Sequence, residues 1–211
     1  MVAISSPRDV FINCPFDDEF EPSFRALVFA VWACGFRVRC AKEMDDAAQT
    51  RIEKLYNIIE QSRLGIHDLS RTELDPVNNL PRFNMPFELG VFLAAKRYGN
   101  EEQKRKRALV LDVDQHRFAK FISDIAGMDI TPHHNHPRTM VGCVRDWLLT
   151  VTRRKSIPSP AKLFASFDRF SAALPAIAAA AGLDAAALLY PDYERLVLAW
   201  IKTERAGGLL P

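Results

Sequence analysis

A chain of 211 residues is long enough for one domain, or for one domain with a helical appendage. With 48% hydrophobic and 26% charged residues it has the composition of a soluble globular protein, and a net charge of +2 makes no electrostatic case for nucleic acid or an anionic membrane. No run approaches the roughly 20 apolar residues of a membrane span, no secretory leader is expected from the opening residues, and the four cysteines (14, 34, 40 and 143) show no CxxC spacing, so free thiols in a reducing cytoplasm are expected.

Residues 9–14, DVFINC, carry apolar side chains at 10, 11 and 12 and read as a buried parallel strand that ends at Pro15. A helix follows over residues 21–34, with Phe24, Leu27, Val28, Val31 and Trp32 on one face and Gly35 as its stop. Residues 36–40 alternate as a second strand near a sheet edge. Beyond the polar loop AKEMDDAAQ, residues 50–62 form a helix that is apolar at 52, 55, 58 and 59, and residues 64–67 form a third strand. A connection of about 15 residues, with Pro76, two asparagines and Pro81, leads to a helix over residues 86–98. Pro86 suits its first position, and the apolar or small residues 87, 90, 91, 94, 95 and 98 predict its buried face.

The run GNEEQKRKR at 99–107 reads as a solvated connector. A strongly apolar fourth strand (108–113), a short helix (116–126), a brief fifth strand (128–130) and a helix from 136 or 137 to about 152 complete the series. The last helix turns Val141, Val144, Trp147, Leu148 and Val151 to the core. Repeated β-α units argue an α/β fold, a doubly wound five-stranded parallel sheet in the flavodoxin-like order 2-1-3-4-5, over residues 1–155. Residues 156–211 form a C-terminal helical appendage: Ser159-Pro160 is a cap-and-first-turn signature, and a final helical run breaks near Pro191. This tail carries no candidate chemistry and is expected to pack on the sheet domain or to offer a self-association surface.

In such a sheet ligands bind beyond the carboxyl ends of the strands where strand order reverses, which for this order lies between strands 1 and 3. Strand 1 ends in Asn13-Cys14-Pro15-Phe16-Asp17-Asp18 and strand 3 in Asp68-Leu69-Ser70-Arg71, while Glu88 falls in the first turn of the following helix. Three polar motifs thus map to one crevice, with Arg82 and Asn84 in the same long connection. A first-turn glutamate is also simply favoured by the helix dipole and left in water, and that reading stands beside the functional one. No GxGxxG, P-loop or GxSxG competes. The cluster His133-His134-Asn135-His136 lacks partners at ligand spacing, so it is expected at the surface and no metal is expected. Cys14 is expected as a buried thiol. Arg39, Lys42, Arg71 and Arg82 are candidates for phosphate contacts.

The opening DVFINCPFDDEFEPSFRALVFAV, with IHDLSRTE and NMPFELGVFLAAKRYG, resembles the nucleoside 2-deoxyribosyltransferase and Toll/interleukin-1 receptor (TIR) superfamily over roughly residues 8–130. The resemblance implies that Glu88 stands at the catalytic glutamate and that Asp68 helps bind the nucleoside and protonate the base. It also implies that Asn13, Pro15 and Phe16 shape the sugar and base pocket; Asp17, Ser70 and Asn84, from the same crevice-forming segments, are further candidate ligand contacts. A bacterial relative in a nucleotide-sensing or phage-defence setting is the nearest description. A carboxylate beside an anomeric carbon can attack it, or stabilise the cation-like transition state as the base leaves. The expected activity is therefore N-glycosidic cleavage or transfer on a nucleotide, NAD first. The alternative is a non-catalytic nucleotide-sensing or self-assembling module. No cofactor is implied, since NAD or another nucleotide would be substrate or ligand; the partner is a small molecule, with no nucleic acid or membrane, and a homo-oligomer is allowed.

Overall fold

The computed structural model describes residues 6–43, 48–74 and 79–211. Pro76 and Asn78 of the long connection, and residues 44–47 of the loop after the second strand, lie outside them. Five strands, β1 (Ser6–Asn13), β2 (Arg37–Arg39), β3 (Ser62–Asp68), β4 (Arg107–Asp112) and β5 (Ile130–Pro132), pair in parallel in the order β2-β1-β3-β4-β5. This is the α/β sheet and the strand order expected from the repeat of elements. Val10, Phe11 and Ile12 of β1 are fully buried, as a strand covered on both faces requires.

Near its start β1 is tied to the edge strand β2 by charge. Asp9 is buried and paired with Arg37 and, at 3.1 Å, with Arg39. Burial pushes the Asp9 carboxyl up, but hydrogen bonds from the two arginines outweigh it and hold it below its usual range.

Helix α2 (Arg51–Gln61) starts with a complete capping box: Thr50 accepts from the Glu53 N–H, and the Glu53 side chain accepts from the Thr50 N–H. Its apolar face, Leu55, Ile58 and Ile59, packs with Phe11 and Phe92. Helix α3 (Asn84–Tyr98) begins two residues before Pro86, so Glu88 lies past the first turn, where no acidic residue stands. The buried residues of α3 are Met85, Glu88, Leu89 and Phe92. The face expected inside is only partly so: Val91 and Ala95 are half-buried against the α2 cluster, but Phe87 is 54% and Tyr98 84% exposed. Both faces of α3 carry apolar residues at helical spacing, and the one that wins joins Leu69, Val110, Phe118 and Ile130 in a shared cluster.

The charged run after α3 contains a one-turn helix, α4 (Glu101–Lys104), and is not uniformly solvated. Lys106 is 1% exposed, donates to the Ile59 and Ser62 carbonyls at the end of α2, and lies 4.6 Å over the Phe92 ring. It satisfies carbonyls that the helix leaves open, and burial pulls its ammonium down to about 8. The expected helix over 116–126 resolves into two 3₁₀ turns, Arg117–Lys120 and Ser123–Ile125.

The chain divides into two compact units, Met1–Phe24 with Arg37–His136, and Arg25–Phe36 with Pro137–Pro211. The second holds most of α1 (Glu21–Ala33), together with α5 (Pro137–Thr152), α6 (Pro160–Ala180) and α7 (Tyr190–Ala206). Gly35 ends α1 at φ +81°, a conformation that favours glycine. Ser159 caps α6 by accepting from the Lys162 N–H. Pro191 sits in the first turn of α7 and so opens that helix where the sequence suggested a break. The centre of this unit is aromatic: Phe170 stacks on Phe29 at 5.3 Å and meets Tyr193 and Trp200 edgewise or tilted.

Among the described residues α6 is the one helix long and apolar enough to cross a bilayer, which composition had not suggested. Asp168 and Arg169 on it are ion-paired with Arg138 and Glu204. All four cysteines are unbridged thiols. Truncating Phe170 to alanine removes a fully buried ring with three aromatic neighbours. The variant is expected to lose about 3–5 kcal/mol of unfolding free energy in chemical denaturation.

Candidate active site

The carboxyl ends of β1, β3, β4 and β5 bring buried polar groups together. At the β1 tip the Asn13 amide lies 3.2 Å from His67 Nδ1 on β3 and donates to the Met85 carbonyl in α3 at 2.9 Å. Burial, aided by the Lys106 charge, pulls the His67 imidazole down to about 3, so the ring is neutral and its Nδ1 accepts from Asn13. Both N–H groups of Asn13 are spent on fastening two strands to the helix that carries Glu88. His67 fits only because residue 65 is glycine: a Cβ there would stand 2.7 Å from His67 Nε2.

Asp68 ends β3 with no exposure to solvent. Its Oδ1 accepts from the Ser70 backbone N–H at 2.9 Å and the Ser70 hydroxyl at 2.5 Å. Its Oδ2 lies 3.1 Å from His133 Nε2, close but out of hydrogen-bond alignment. His133 Nδ1 accepts from the Asn135 N–H at 3.0 Å, which assigns the ring proton to Nε2, the nitrogen facing Asp68. The histidine cluster is therefore not wholly on the surface as expected, for His133 is fully buried. No local spacing signals this, because its partner comes from a different strand.

On β4, Asp112 Oδ1 accepts from Val113 N–H and from Arg117, whose guanidinium also reaches the Leu69 carbonyl and Glu73. Burial still leaves the Asp112 carboxyl above its usual range, and the Asp68 charge adds to the rise. Sequence reading did not single out Asp112, Arg117 or His67.

Glu88 is 6% exposed, and the solvated first-turn reading of it fails. Desolvation pushes its carboxyl up to about 7, against the pull of Arg51 at 3.9 Å. Cys14, fully buried at the β1 tip, has its thiol pushed well above the usual range by burial and then by the charges of Asp68, Cys40 and Glu88. A thiol held in that form is a poor nucleophile.

The remaining candidates sort into two groups. The first loop and the long connection are joined by charge, with Arg71 at 2.6 Å from Glu19 and 3.4 Å from Asp17, and Arg82 at 3.7 Å from Asp17. Pro15 is buried, Phe16 packs edgewise on Phe24, and Asn84 is exposed at the start of α3. Arg39 does not join the crevice; it is held by Asp9, Glu43 and Gln61. Lys42 is bonded to Glu21 at 3.1 Å and lies over the rings of Phe16 and Phe24.

A cleft of about 450 Å³ opens here, lined by Glu19, Phe20, Ser23, Ser70, Arg71, Glu73, Val113 and Asn135. Neither Glu88 nor Asp68 is among these lining residues. Among the described residues no group of three or more His, Cys, Asp or Glu side chains is arranged to hold a metal ion. No family model, curated protein or solved structure matches the chain.

A carboxyl raised from 4.5 to about 7 in the folded state binds a proton more tightly there than in the unfolded chain. Stability contributed by protonated Glu88 is full below about pH 4.5 and is lost as pH rises through 7. Glu88→Gln is therefore expected to be more stable than the parent at pH 8, by at most roughly 3 kcal/mol, and little different at pH 4.5. Urea midpoints at the two pH values check this.

Proposed function

We propose that the chain cleaves or transfers the N-glycosidic bond of a nucleotide, with NAD the first substrate to try and Glu88 the carboxylate that faces the sugar. What supports the reading is a carboxylate withdrawn from water on the helix that follows β3, with the exposed Arg51 3.9 Å from it. In a low-dielectric site a negative charge stabilises a nearby oxocarbenium-like cation far more than it would in water. The resemblance of the strand-1 and strand-3 motifs to the deoxyribosyltransferase and TIR superfamily is a second support.

In this mechanism the C1–N bond breaks with its electron pair leaving on the base. Water adds its oxygen to C1 and gives a proton to Glu88, or an acceptor hydroxyl does the same in transfer. Nicotinamide in NAD is already cationic and departs without an acid. A neutral base needs a proton, and Asp68 is its source. Arg51 and Arg82, both more than half exposed and lying 3.9 Å from Glu88 and 3.7 Å from Asp17, are candidate guanidinium groups for a phosphate. One observation favours a second reading, a nucleotide-sensing module without turnover: Glu88 does not line the cleft.

Incubation with NAD, a nucleoside monophosphate and a deoxynucleoside, followed by chromatography of the released base, decides between them. Turnover that Glu88→Gln lowers by on the order of 10²-fold or more is the expected result. Equal turnover in the variant contradicts the role of Glu88, and binding with no released base favours the sensing module. Because the ionised form acts, kcat/KM for NAD is expected to rise with pH through about 7 and level off above it. Asp68→Asn is expected to slow release of a neutral base by about 10²–10⁴-fold and to affect NAD cleavage far less.

A further inference from the structure

Helix α1 leaves one residue of its first turn without a hydrogen-bond partner. Glu21 N–H donates to the Asp18 carbonyl at 3.4 Å, Pro22 has no N–H, and Phe24 N–H donates to the Phe20 carbonyl at 2.9 Å. The Ser23 N–H has no acceptor among the described residues, because Phe20, just before the helix, carries no side-chain oxygen to cap it. The Ser23 hydroxyl has no partner among them either. Yet Ser23 is only 7% exposed and lines the cleft of about 450 Å³, so two unmatched donors border that space. They stand at the positive end of α1, where an acceptor oxygen is favoured. The surrounding charge opposes a full anion. Lining Ser70 and Val113 donate backbone N–H groups to the buried Asp68 and Asp112, and Arg117 pairs with Asp112 and with lining Glu73. Four carboxyls (Glu19, Glu73, Asp68 and Asp112) thus stand against two guanidiniums (Arg71 and Arg117), and the buried carboxyls are the least screened by solvent.

Resting on the glycosidic reading above, we propose that this cleft holds the leaving base as a cationic ring bearing a carboxamide, and that Ser23 is the specificity-determining residue that reads the carboxamide oxygen. The Ser23 N–H and O–H both donate to that oxygen. The amide nitrogen finds acceptors in the same cleft, the Glu19 and Glu73 carboxylates, each of which has one oxygen engaged by an arginine. Phe20 and Val113 supply apolar surface for the ring. The surplus of negative charge favours the ring while it is a pyridinium. Once the C1–N bond breaks, its electron pair neutralises the ring, so the released base is held less tightly than the substrate. A carboxylate in place of the amide offers no N–H and adds a charge of the wrong sign, so the cleft rejects it.

The test titrates the full chain with ring-methylated nicotinamide (a pyridinium), nicotinamide, nicotinate and inorganic phosphate, read by calorimetry and by the backbone amide NMR spectrum. It then compares Ser23→Ala and Ser23→Thr with the parent on NAD. The pyridinium is expected to bind tightest, nicotinate at least about tenfold more weakly than nicotinamide, and phosphate not at all. The Ser23 amide proton is expected to move downfield as either amide binds. Ser23→Ala is expected to weaken both amides by about 5–10-fold, to raise KM for NAD by a similar factor with kcat little changed, and to be largely rescued by threonine. Its urea midpoint is expected to match the parent, since the hydroxyl it removes holds nothing in the fold. Nicotinate or phosphate binding as tightly as the amides, or amides that leave the Ser23 amide proton unmoved, overturn the assignment. Binding of the amides without cleavage of NAD supports the amide site and counts against the glycosidic reading. Cleavage of NAD that Ser23→Ala leaves unchanged does the reverse.

Discussion

Withdrawal of the Glu88 carboxyl from water, with the exposed Arg51 no nearer than 3.9 Å, is the constraint on which the candidate site depends. Met85, Leu89 and Phe92 on either side of it are core residues, so α3 cannot bury its apolar face without carrying Glu88 inside. The cost is electrostatic and falls on the ionised form; burial dominates, and Arg51 at 3.9 Å only softens it. A purely structural position would be better filled by an apolar side chain. An ionisable side chain in that setting is what supports the proposed role in chemistry.

The surrounding structure holds this arrangement from several directions. Asn13 spends its amide hydrogens on β3 and α3, fixing the strand tips against the helix. Arg117 bridges Asp112 to the Leu69 carbonyl and Glu73, which anchors the start of the long connection. Arg71 and Arg82 join the same connection to the first loop through Asp17 and Glu19. Buried carboxylates at neighbouring strand tips repel one another, and here the Arg117 guanidinium, 2.7 Å from Asp112, offsets that repulsion. The two carboxyls have separate surroundings, since Asp68 accepts from Ser70, which lines the cleft, while Glu88 stands 3.9 Å from Arg51.

Much of the sheet was legible because parallel strands read as short apolar runs bounded by helix signals. The β1, β3 and β4 cores needed no tertiary information. The face of α3 was not legible. Residues 87, 91, 94 and 98 and residues 85, 88, 89 and 92 both follow helical spacing, and the second set contains a glutamate that a polarity pattern counts against burial. Only the packing of Leu69, Val110 and Ile130 decides it. Lys106 was likewise invisible as a buried group, because its partners are backbone carbonyls of α2. His133 belongs to the same class: nothing beside it in the chain reports that Asp68 stands opposite. Arginines were the poorest guide, since whether a guanidinium is open to phosphate depends on which carboxylate the fold has already given it, as Arg39 and its three partners illustrate.

The measurement that bears most directly on the central claim is a crystal structure of the full chain with a nucleotide whose ring oxygen is replaced by carbon, so that the glycosidic bond survives. The account predicts the anomeric position within about 3.5 Å of a Glu88 carboxylate oxygen. A nucleotide seated with its sugar well beyond that reach, and Glu88 still facing only Arg51, would contradict it.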